Sequence, residues 1–199
     1  MKRILRIDTS TRGANSHSID LANMIEVKLK ENYQDVEIIS RDLSKTNIPH
    51  LSQEHIEATF VPSEDRTSVM NDILLLANEL IAEIKSADTV LISVPMFNFN
   101  IPSSLKAYID NISRPGETFS IGESGYTGLL TGKKLVILAA YGADFTQMKA
   151  MDFVEPYLKS VFGFLGFEDI SYYALEGTSM LSSEMLTDKK QEIAQSFHI

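Results

Sequence analysis

The sequence predicts an α/β fold, a doubly wound sandwich in which a parallel sheet of five strands carries helices on both faces. Short runs of branched aliphatic residues recur along the chain, and segments with apolar residues at helical spacing separate them. The chain has 199 residues with a hydrophobic content of 44%, which suits one sizeable core rather than two. We therefore expect residues 1–199 to form a single domain.

The first half of the chain alternates predicted strands and helices. Three short, apolar runs rich in branched side chains favour buried parallel strands: residues 4–7, 36–39 and 89–94. Apolar residues recur at helical spacing over residues 19–30 and, most strongly, over residues 69–85. Residues 42–68 are polar and contain proline, so we expect an irregular excursion there with a short helix near residues 53–58.

The second half of the chain continues the alternation. A helix is expected over residues 102–112, where proline in the first turn is well tolerated. Residues 113–132 are rich in glycine, threonine and aromatic residues and are expected to form a second excursion at the ligand end of the sheet. Two further strands are predicted over residues 135–140 and 170–174, and two further helices over residues 152–165 and 183–197.

Five strands joined through helices leave few possible topologies, because crossovers between parallel strands are right-handed. We predict the flavodoxin-like strand order 2-1-3-4-5. Ligands of open α/β sheets bind outside the carboxyl ends of the strands, at the switch point where strand order reverses. In this order the switch point lies between the first and third strands, so the loops that follow these two strands are the expected site.

Composition excludes several classes of function. A net charge of -9 and a pI near 4.9 disfavour nucleic acid and anionic membranes as partners. Cysteine is absent, which excludes disulfides, thiolate catalysis and cysteine metal sites. The four histidines show no ligand-like spacing, so no metal is expected: His17, His50, His55 and His198. Any redox chemistry must then come from a bound cofactor.

The chain carries no export or membrane signal that we can identify. Its N-terminal apolar run is shorter than the roughly 7–15 residues of a signal peptide core. No window approaches the roughly 18 apolar residues of a membrane span. We therefore expect a cytoplasmic protein.

The run Pro-Met-Phe-Asn-Phe-Asn follows the third predicted strand and is the most informative feature of the sequence. Met96, Phe97 and Phe99 offer apolar and aromatic surface for a planar ring system. Asn98 and Asn100 carry amide donors and acceptors that can read a heteroaromatic edge. This combination suits a flavin. The alternative is an ordinary turn whose aromatic side chains join the core while Asn100 caps the next helix.

The loop after the first strand is rich in hydroxyl groups. Residues 8–18 supply five serine and threonine side chains directly before a helix, where free amides and the helix dipole favour a phosphate. The single glycine, Gly13, makes neither a dinucleotide fingerprint nor a P-loop, so a monophosphate is favoured. His17 is expected to contribute its backbone amide. The alternative is that Ser16 or Ser18 only caps the helix.

Together the two loops resemble those of the FMN-dependent NADH:quinone oxidoreductases, also called NADH-azoreductases, of the flavodoxin-like superfamily. The resemblance extends over nearly the whole chain. It includes a glycine-bearing loop after the fourth strand, a Thr-Phe pair at Phe119, and a Pro-Tyr-Leu helix followed by Phe-Gly-Phe-Leu-Gly.

The resemblance implies a bound FMN, NADH as electron donor, and quinones and azo compounds as acceptors. It implies that the FMN phosphate is held by Ser10, Ser16, His17 and Ser18. It implies that the isoalloxazine ring is flanked by Met96, Phe97, Asn98 and Phe99. The family is homodimeric, so Phe119 and Tyr126 are expected to wall the substrate pocket of a neighbouring subunit.

One departure from the family pattern concerns the loop after the fourth strand. The family commonly shows Ser-Arg-Gly-Gly, whereas this chain has Ala-Tyr-Gly-Ala, with Tyr141 and Gly142 at the centre. Backbone contacts to the flavin from these two residues are still expected. Tyr141 either stacks near the ring, narrows substrate access or only fills surface space, and the sequence leaves these alternatives open.

The leading hypothesis is therefore an oxidoreductase with a ping-pong mechanism, in which hydride passes from NADH through FMN to a quinone or azo acceptor. The flavin performs the chemistry, so no catalytic side chain is assigned, and Asn98 is the best candidate for a polar contact near the reactive edge. The alternative is a flavodoxin-type electron carrier that docks to redox partner proteins. A hydrolase using Ser10 or Ser16 lacks convincing histidine and acid partners.

Overall fold

The computed structural model describes residues 1–123 and 125–197, which leaves His198 outside the described part. Its centre is a parallel sheet with five strands in the described residues: β1 Lys2–Asp8, β2 Val36–Asp42, β3 Thr89–Pro95, β6 Lys134–Ala140 and β7 Asp169–Leu175. The strands lie in the order β2-β1-β3-β6-β7, which is the predicted order 2-1-3-4-5 in the numbering of the main sheet. The predicted topology is therefore confirmed.

Six α-helices connect and cover the strands in the described residues: α1 His17–Asn32, α2 Gln53–Phe60, α3 Ser68–Ser86, α4 Ser103–Ile112, α5 Val154–Leu165 and α6 Ser183–Ser196. Each overlaps a helix predicted from the sequence, with ends shifted by at most a few residues. Four of these helices begin with a serine or threonine side chain that accepts from a first-turn amide: Ser16 in α1, Ser52 in α2, Thr67 in α3 and Ser182 in α6. None of the helices described is long and apolar enough to cross a bilayer.

The second excursion contains a small antiparallel hairpin that the sequence did not predict. Its strands are β4 Phe119–Gly122 and β5 Gly125–Gly128. Each strand has only four residues, and glycine occupies three of the eight positions, so neither strand propensity nor alternation marks it. The hairpin packs against α5.

The core lies on both faces of the main sheet. One cluster joins alternate strand residues to α3, α4 and α5, and a smaller cluster joins the opposite face to α1 and α6. Every residue of β3 is buried, as expected for a central parallel strand covered on both sides. Because β1 pairs with β3, and β3 with β6, the carboxyl ends of these three strands open at one edge of the sheet.

Candidate functional site

A pocket of about 180 Å³ opens at the carboxyl ends of β1, β3 and β6. It brings together the hydroxyl-rich loop and the aromatic loop, as the switch-point topology predicts. Its lining consists of Ser10, Arg12, Ser16, His17, Ser18, Pro95, Met96, Phe97, Ala140, Gly142, Thr178 and Ser179. Seven of the twelve sequence-derived candidates thus meet in one place: Ser10, Ser16, His17, Ser18, Met96, Phe97 and Gly142.

The hydroxyl-rich end of the pocket is built on the start of α1. Ser16 is the N-cap, and its Oγ accepts a hydrogen bond from the Ile19 amide at 3.4 Å and lies 3.1 Å from the Ser18 Oγ. Ser10, Ser16 and Ser18 are all buried although their hydroxyls face a pocket. The capping role and the pocket role of Ser16 therefore coexist, because one hydroxyl oxygen has two lone pairs and one proton.

The electrostatics of this end favour an anion. The pKa of His17 is lowered by burial and by the nearby Lys190 and Arg12 cations, so its ring is neutral at pH 7. Lys190 reaches this position from α6 and pairs with Asp20. Arg12 and the positive end of the α1 dipole thus lie at a pocket lined by hydroxyl groups, with Lys190 close enough to act on His17.

A partly buried ionic network lies at the carboxyl end of β1. Arg6 donates from Nε to both carboxylate oxygens of Asp8 and from Nη1 to Glu26 at 2.7 Å. Burial disfavours the charged guanidinium, but its bonds to Asp8 and Glu26 outweigh that cost and raise the pKa of Arg6. The Ser93 hydroxyl donates to Asp8 at 2.7 Å, and Thr9 donates to the Ser93 carbonyl. The carboxyl ends of β1 and β3, which lead into the two pocket loops, are therefore bonded to each other.

The aromatic loop is a tight turn. Phe97 and Asn100 exchange two backbone hydrogen bonds, from the Phe97 amide at 2.8 Å and from the Asn100 amide at 3.0 Å. The two central residues have left-handed backbones, with φ of 51° at Asn98 and 68° at Phe99. Asparagine tolerates this region, whereas for a bulky residue such as phenylalanine it is costly. The surrounding structure must therefore hold Phe99 in place.

Phe97 separates the pocket from a second cavity of about 490 Å³. The second cavity is lined by His50, Phe97, Asn98, Asn100, Ile101, Ser103, Lys106 and Tyr157. Asn98 and Asn100 thus face this cavity rather than the hydroxyl-rich pocket. Most of the accessible lining is apolar, and the two amides supply hydrogen-bonding groups at one side.

Phe99 contacts the segment that follows β6. Its ring packs edge-on against Phe145, with 6.3 Å between centroids, and its carbonyl accepts from the Phe153 amide at 3.0 Å. Neither cavity has Phe99 in its lining. The contacts of Phe99 are therefore made to the segment that follows β6, and its contact with a flavin stays a prediction.

Tyr141 also differs from the sequence-based alternatives. The side chain is fully buried, so it neither stacks over the pocket nor fills surface space. Leu135, Ile137, Ala139 and Tyr141 share one core cluster, which shows that the two-residue alternation of β6 continues one residue past its end. The Tyr141 amide donates to the Leu175 carbonyl at 2.9 Å, so it is not free for a ligand.

Thr178 and Ser179 are pocket residues that the sequence reasoning missed. They follow the carboxyl end of β7, and two backbone bonds join them to the loop after β6: Thr178 amide to Tyr141 carbonyl and Ser179 amide to Gly142 carbonyl. Hydroxyl groups directly after a strand end were the available signal, the same one that identified the loop after β1. A Cβ at Gly142 would lie 3.0 Å from the Ser179 Oγ.

Phe119 and Tyr126 lie on the hairpin and form an aromatic cluster with Phe164 of α5. The ring centroids are 4.9 Å apart for Phe119 and Phe164, and 5.7 Å apart for Tyr126 and Phe164. Within the described residues of one chain, the cluster contributes to neither cavity beside Phe97. Tyr126 is 67% exposed, so the cluster presents aromatic surface to solvent.

The fold and the pocket define a flavodoxin-like α/β protein whose switch point can accommodate an anionic group. A family model described as a flavodoxin-like fold matches residues 2–197.

Individual relatives narrow this class. The FMN-dependent NADH:quinone oxidoreductase of Hydrogenovibrio crunogenus is 43% identical over 191 residues, covering 95% of this chain and 94% of that protein. An FMN-dependent NADH-azoreductase from Bacillus anthracis, solved in complex with FMN, matches with a TM-score of 0.88 at 29% identity and covers 98% of this chain and 97% of its own. Another azoreductase from that species has a TM-score of 0.90 at 26% identity, with 98% of both chains covered. The chain belongs to the flavodoxin-like family of FMN-dependent NADH:quinone oxidoreductases.

Proposed function

We propose that this protein is an FMN-dependent enzyme that oxidises NADH and reduces quinones, and that also cleaves aromatic azo compounds reductively. The observation that carries the proposal is one pocket with two chemically different ends. Buried hydroxyls at the start of α1 form one end, and Met96 and Phe97 form the other. A phosphate joined to a planar ring system requires both.

The residues present fit FMN. Ser10, Ser16 and Ser18, with the His17 amide, would hold the phosphate, where Arg12 and the helix dipole offset its charge. Met96, Phe97 and the backbone at Gly142 would contact the ring system. Thr178 and Ser179 add hydroxyls beside Gly142 that can bond the polar chain between the two ends.

When bound, FMN supplies the two-electron chemistry that links NADH to the acceptor in a ping-pong sequence. The protein's own residues orient the reactants. Phe97, Ile101 and Tyr157 give the second cavity apolar walls that suit a flat acceptor, and the amides of Asn98 and Asn100 can donate to a quinone oxygen. No side chain is assigned as an acid or a base.

We further propose a homodimer. Phe119, Tyr126 and Phe164 form an aromatic cluster that the described residues leave partly exposed to solvent. Exposed aromatic clusters of this kind mark contact surfaces. In a pair of chains, the cluster of one chain would wall the acceptor cavity of the other. Sedimentation at micromolar concentration tests this, and a monomer in the presence of FMN would contradict it.

The function is tested by recording the visible spectrum of the purified protein with FMN and then adding NADH without oxygen. Bleaching of the flavin band near about 450 nm, followed by recovery on adding a quinone, is the expected result. Tight FMN binding without bleaching would favour an electron carrier. Absence of FMN binding would overturn the proposed reading of the pocket.

Ser16→Ala and Thr67→Ala separate phosphate binding from helix capping. Both side chains cap a helix, and each loss should cost about 1 kcal/mol of stability. Only Ser16 lines the pocket. FMN affinity should therefore fall about tenfold in Ser16→Ala and stay unchanged in Thr67→Ala. Equal FMN affinities in the two variants would show that Ser16 only caps the helix and does not bind FMN.

A further inference from the structure

We propose that Tyr141 is a positioning residue, which holds the turn Phe97–Asn100 in the conformation that faces the two cavities. The expected effect of Tyr141 on FMN affinity rests on the proposed function, whereas its effect on the conformation of the turn does not. The geometry points to Tyr141 because two separate chains of contacts begin at its side chain and both end at Phe99.

The turn needs an external support. Phe99 has a φ of 68°, a backbone region that L-residues with large side chains avoid. The two backbone bonds between Phe97 and Asn100 close a two-residue turn in which both central residues have positive φ, a conformation that phenylalanine adopts only at a cost. Such strain persists where neighbouring structure over-determines the conformation.

The first chain of contacts is hydrogen-bonded. The Tyr141 hydroxyl donates to Asp152 Oδ2 at 2.9 Å. Asp152 is fixed on its other oxygen, because Oδ1 accepts from the Val154 amide at 2.8 Å at the start of α5. The next residue, Phe153, donates its amide to the Phe99 carbonyl at 3.0 Å. The hydroxyl of Tyr141 is thus bonded to the residue directly before the donor to Phe99.

The second chain of contacts is aromatic. The Tyr141 ring packs edge-on against Phe145 with 5.1 Å between centroids, and Phe145 packs edge-on against Phe99 with 6.3 Å between centroids. Tyr141 and Phe145 are buried, so this part of the core is close-packed and does not shift independently. Backbone and ring of Phe99 are therefore both restrained from the same buried side chain.

Tyr172 of β7 completes the arrangement. Its hydroxyl is hydrogen-bonded to the Tyr141 hydroxyl. Since Tyr141 has one proton and gives it to the carboxylate, Tyr172 is the donor in this pair. Burial raises the pKa of both phenols, so the chain from Tyr172 to Asp152 stays intact through neutral pH.

The test compares Tyr141→Phe with Tyr173→Phe. The first keeps the ring stack and removes only the hydroxyl. The second removes a hydroxyl from the neighbouring β7 residue, whose ring lies on the other side of the sheet against Phe197. Amide hydrogen exchange is measured with and without FMN at Phe97, Asn100 and Phe153, the donors of the turn and its anchor. We expect exchange at least about tenfold faster in Tyr141→Phe and unchanged in Tyr173→Phe.

FMN affinity gives a second readout, and Phe99→Gly gives the rescue. Tyr141→Phe should raise the FMN dissociation constant about tenfold. Glycine adopts positive φ without strain, so in a Phe99→Gly background the further effect of Tyr141→Phe should largely disappear. If Tyr141→Phe raises the FMN dissociation constant by the same factor in the Phe99→Gly background as in wild type, Tyr141 does not act through Phe99 and the proposal is overturned.

The outcomes separate this proposal from the proposed function. Wild-type protein that fails to bind FMN overturns the function, while the exchange of the FMN-free turn still decides the role of Tyr141. Normal FMN binding with wild-type exchange in Tyr141→Phe overturns the positioning role alone. Should Tyr141→Phe fail to fold, Tyr172→Phe removes the supporting donor and must show the same faster exchange at the turn, or the proposal fails.

Discussion

Asn98 and Phe99 are the two non-glycine residues with positive φ in the described part of the chain, and Asn98 lines the second cavity. Asparagine at such a position has two explanations. Its side chain tolerates the left-handed backbone, and its amide faces the proposed acceptor cavity. A single alanine substitution changes both properties at once.

Asn98→Gly and Asn98→Ala distinguish these explanations. Glycine removes the side-chain amide and adopts the positive φ without strain, whereas alanine removes the amide and adds backbone strain of about 1 kcal/mol at this φ. We expect quinone reduction to fall about fivefold in both variants, because each loses one hydrogen bond. Only Asn98→Ala should also lower the midpoint of urea unfolding. Wild-type turnover in Asn98→Gly would show that the amide is not used.

Tyr108 buries a hydroxyl group that makes no hydrogen bond among the described residues. The side chain is fully buried on α4, and its hydroxyl has no hydrogen-bond partner among the described residues. We expect Tyr108→Phe to raise the free energy of unfolding by about 1 kcal/mol, since it removes an unsatisfied group and keeps the ring. Urea denaturation measures the change. A loss of stability would show that the hydroxyl is satisfied by ordered water.

Among the elements, the hairpin of β4 and β5 is held in place where the backbone of Gly128 lies close to the backbone of Gly166. A Cβ on Gly128 would lie 2.3 Å from the Gly166 nitrogen at the end of α5. The Leu130 amide donates to the Leu165 carbonyl at 2.9 Å just beyond this contact. Glycine at position 128 therefore fixes how the hairpin carries Phe119 and Tyr126 to α5.

Gly128→Ala should lower the free energy of unfolding by about 3 kcal/mol, because the methyl group meets backbone that cannot move aside. Gly122→Ala is the matched control in the same hairpin, since a Cβ there meets nothing within 4 Å. Its effect should stay within about 0.5 kcal/mol. Thermal or urea unfolding compares the two, and equal effects would contradict the close packing of Gly128 on α5.

At the scale of the whole molecule, three buried phenols make stability depend on pH in the alkaline range. Burial is the largest cause that raises the pKa of Tyr108, Tyr141 and Tyr172 above the usual value near 10. Above pH 10 the unfolded chain loses these protons while the folded chain retains them. The folded state then binds more protons, so stability is complete below about pH 10 and declines as pH rises further.

We expect the free energy of unfolding to fall between pH 9 and pH 11, by up to about 1.4 kcal/mol per pH unit for each phenol above pH 10. Tyr108→Phe should make the slope of this decline smaller by the contribution of one phenol, whereas Tyr173→Phe should leave the slope unchanged. Urea titrations at several pH values provide the slopes. An identical decline in wild type and Tyr108→Phe would show that Tyr108 does not titrate with unfolding.

The sequence alone determined the sheet order and the region of the site. Apolar runs and helical periodicity are local properties, and the handedness of crossovers converts their order along the chain into neighbours in the sheet. It follows that the loop with Ser16 and the loop with Phe97 meet at the switch point. The same reasoning located no strands in residues 119–128, where glycine removes the local signal.

Only the tertiary structure decided where individual side chains point. Phe99 packs against Phe145 and lines neither cavity, and Tyr141 enters the core because the alternation of β6 continues past the strand end. Thr178 and Ser179 join the pocket through backbone bonds to a loop that lies more than thirty residues earlier in the sequence. At strand ends and turns, side-chain direction is set by contacts with distant segments, and these contacts leave no periodic pattern in the sequence.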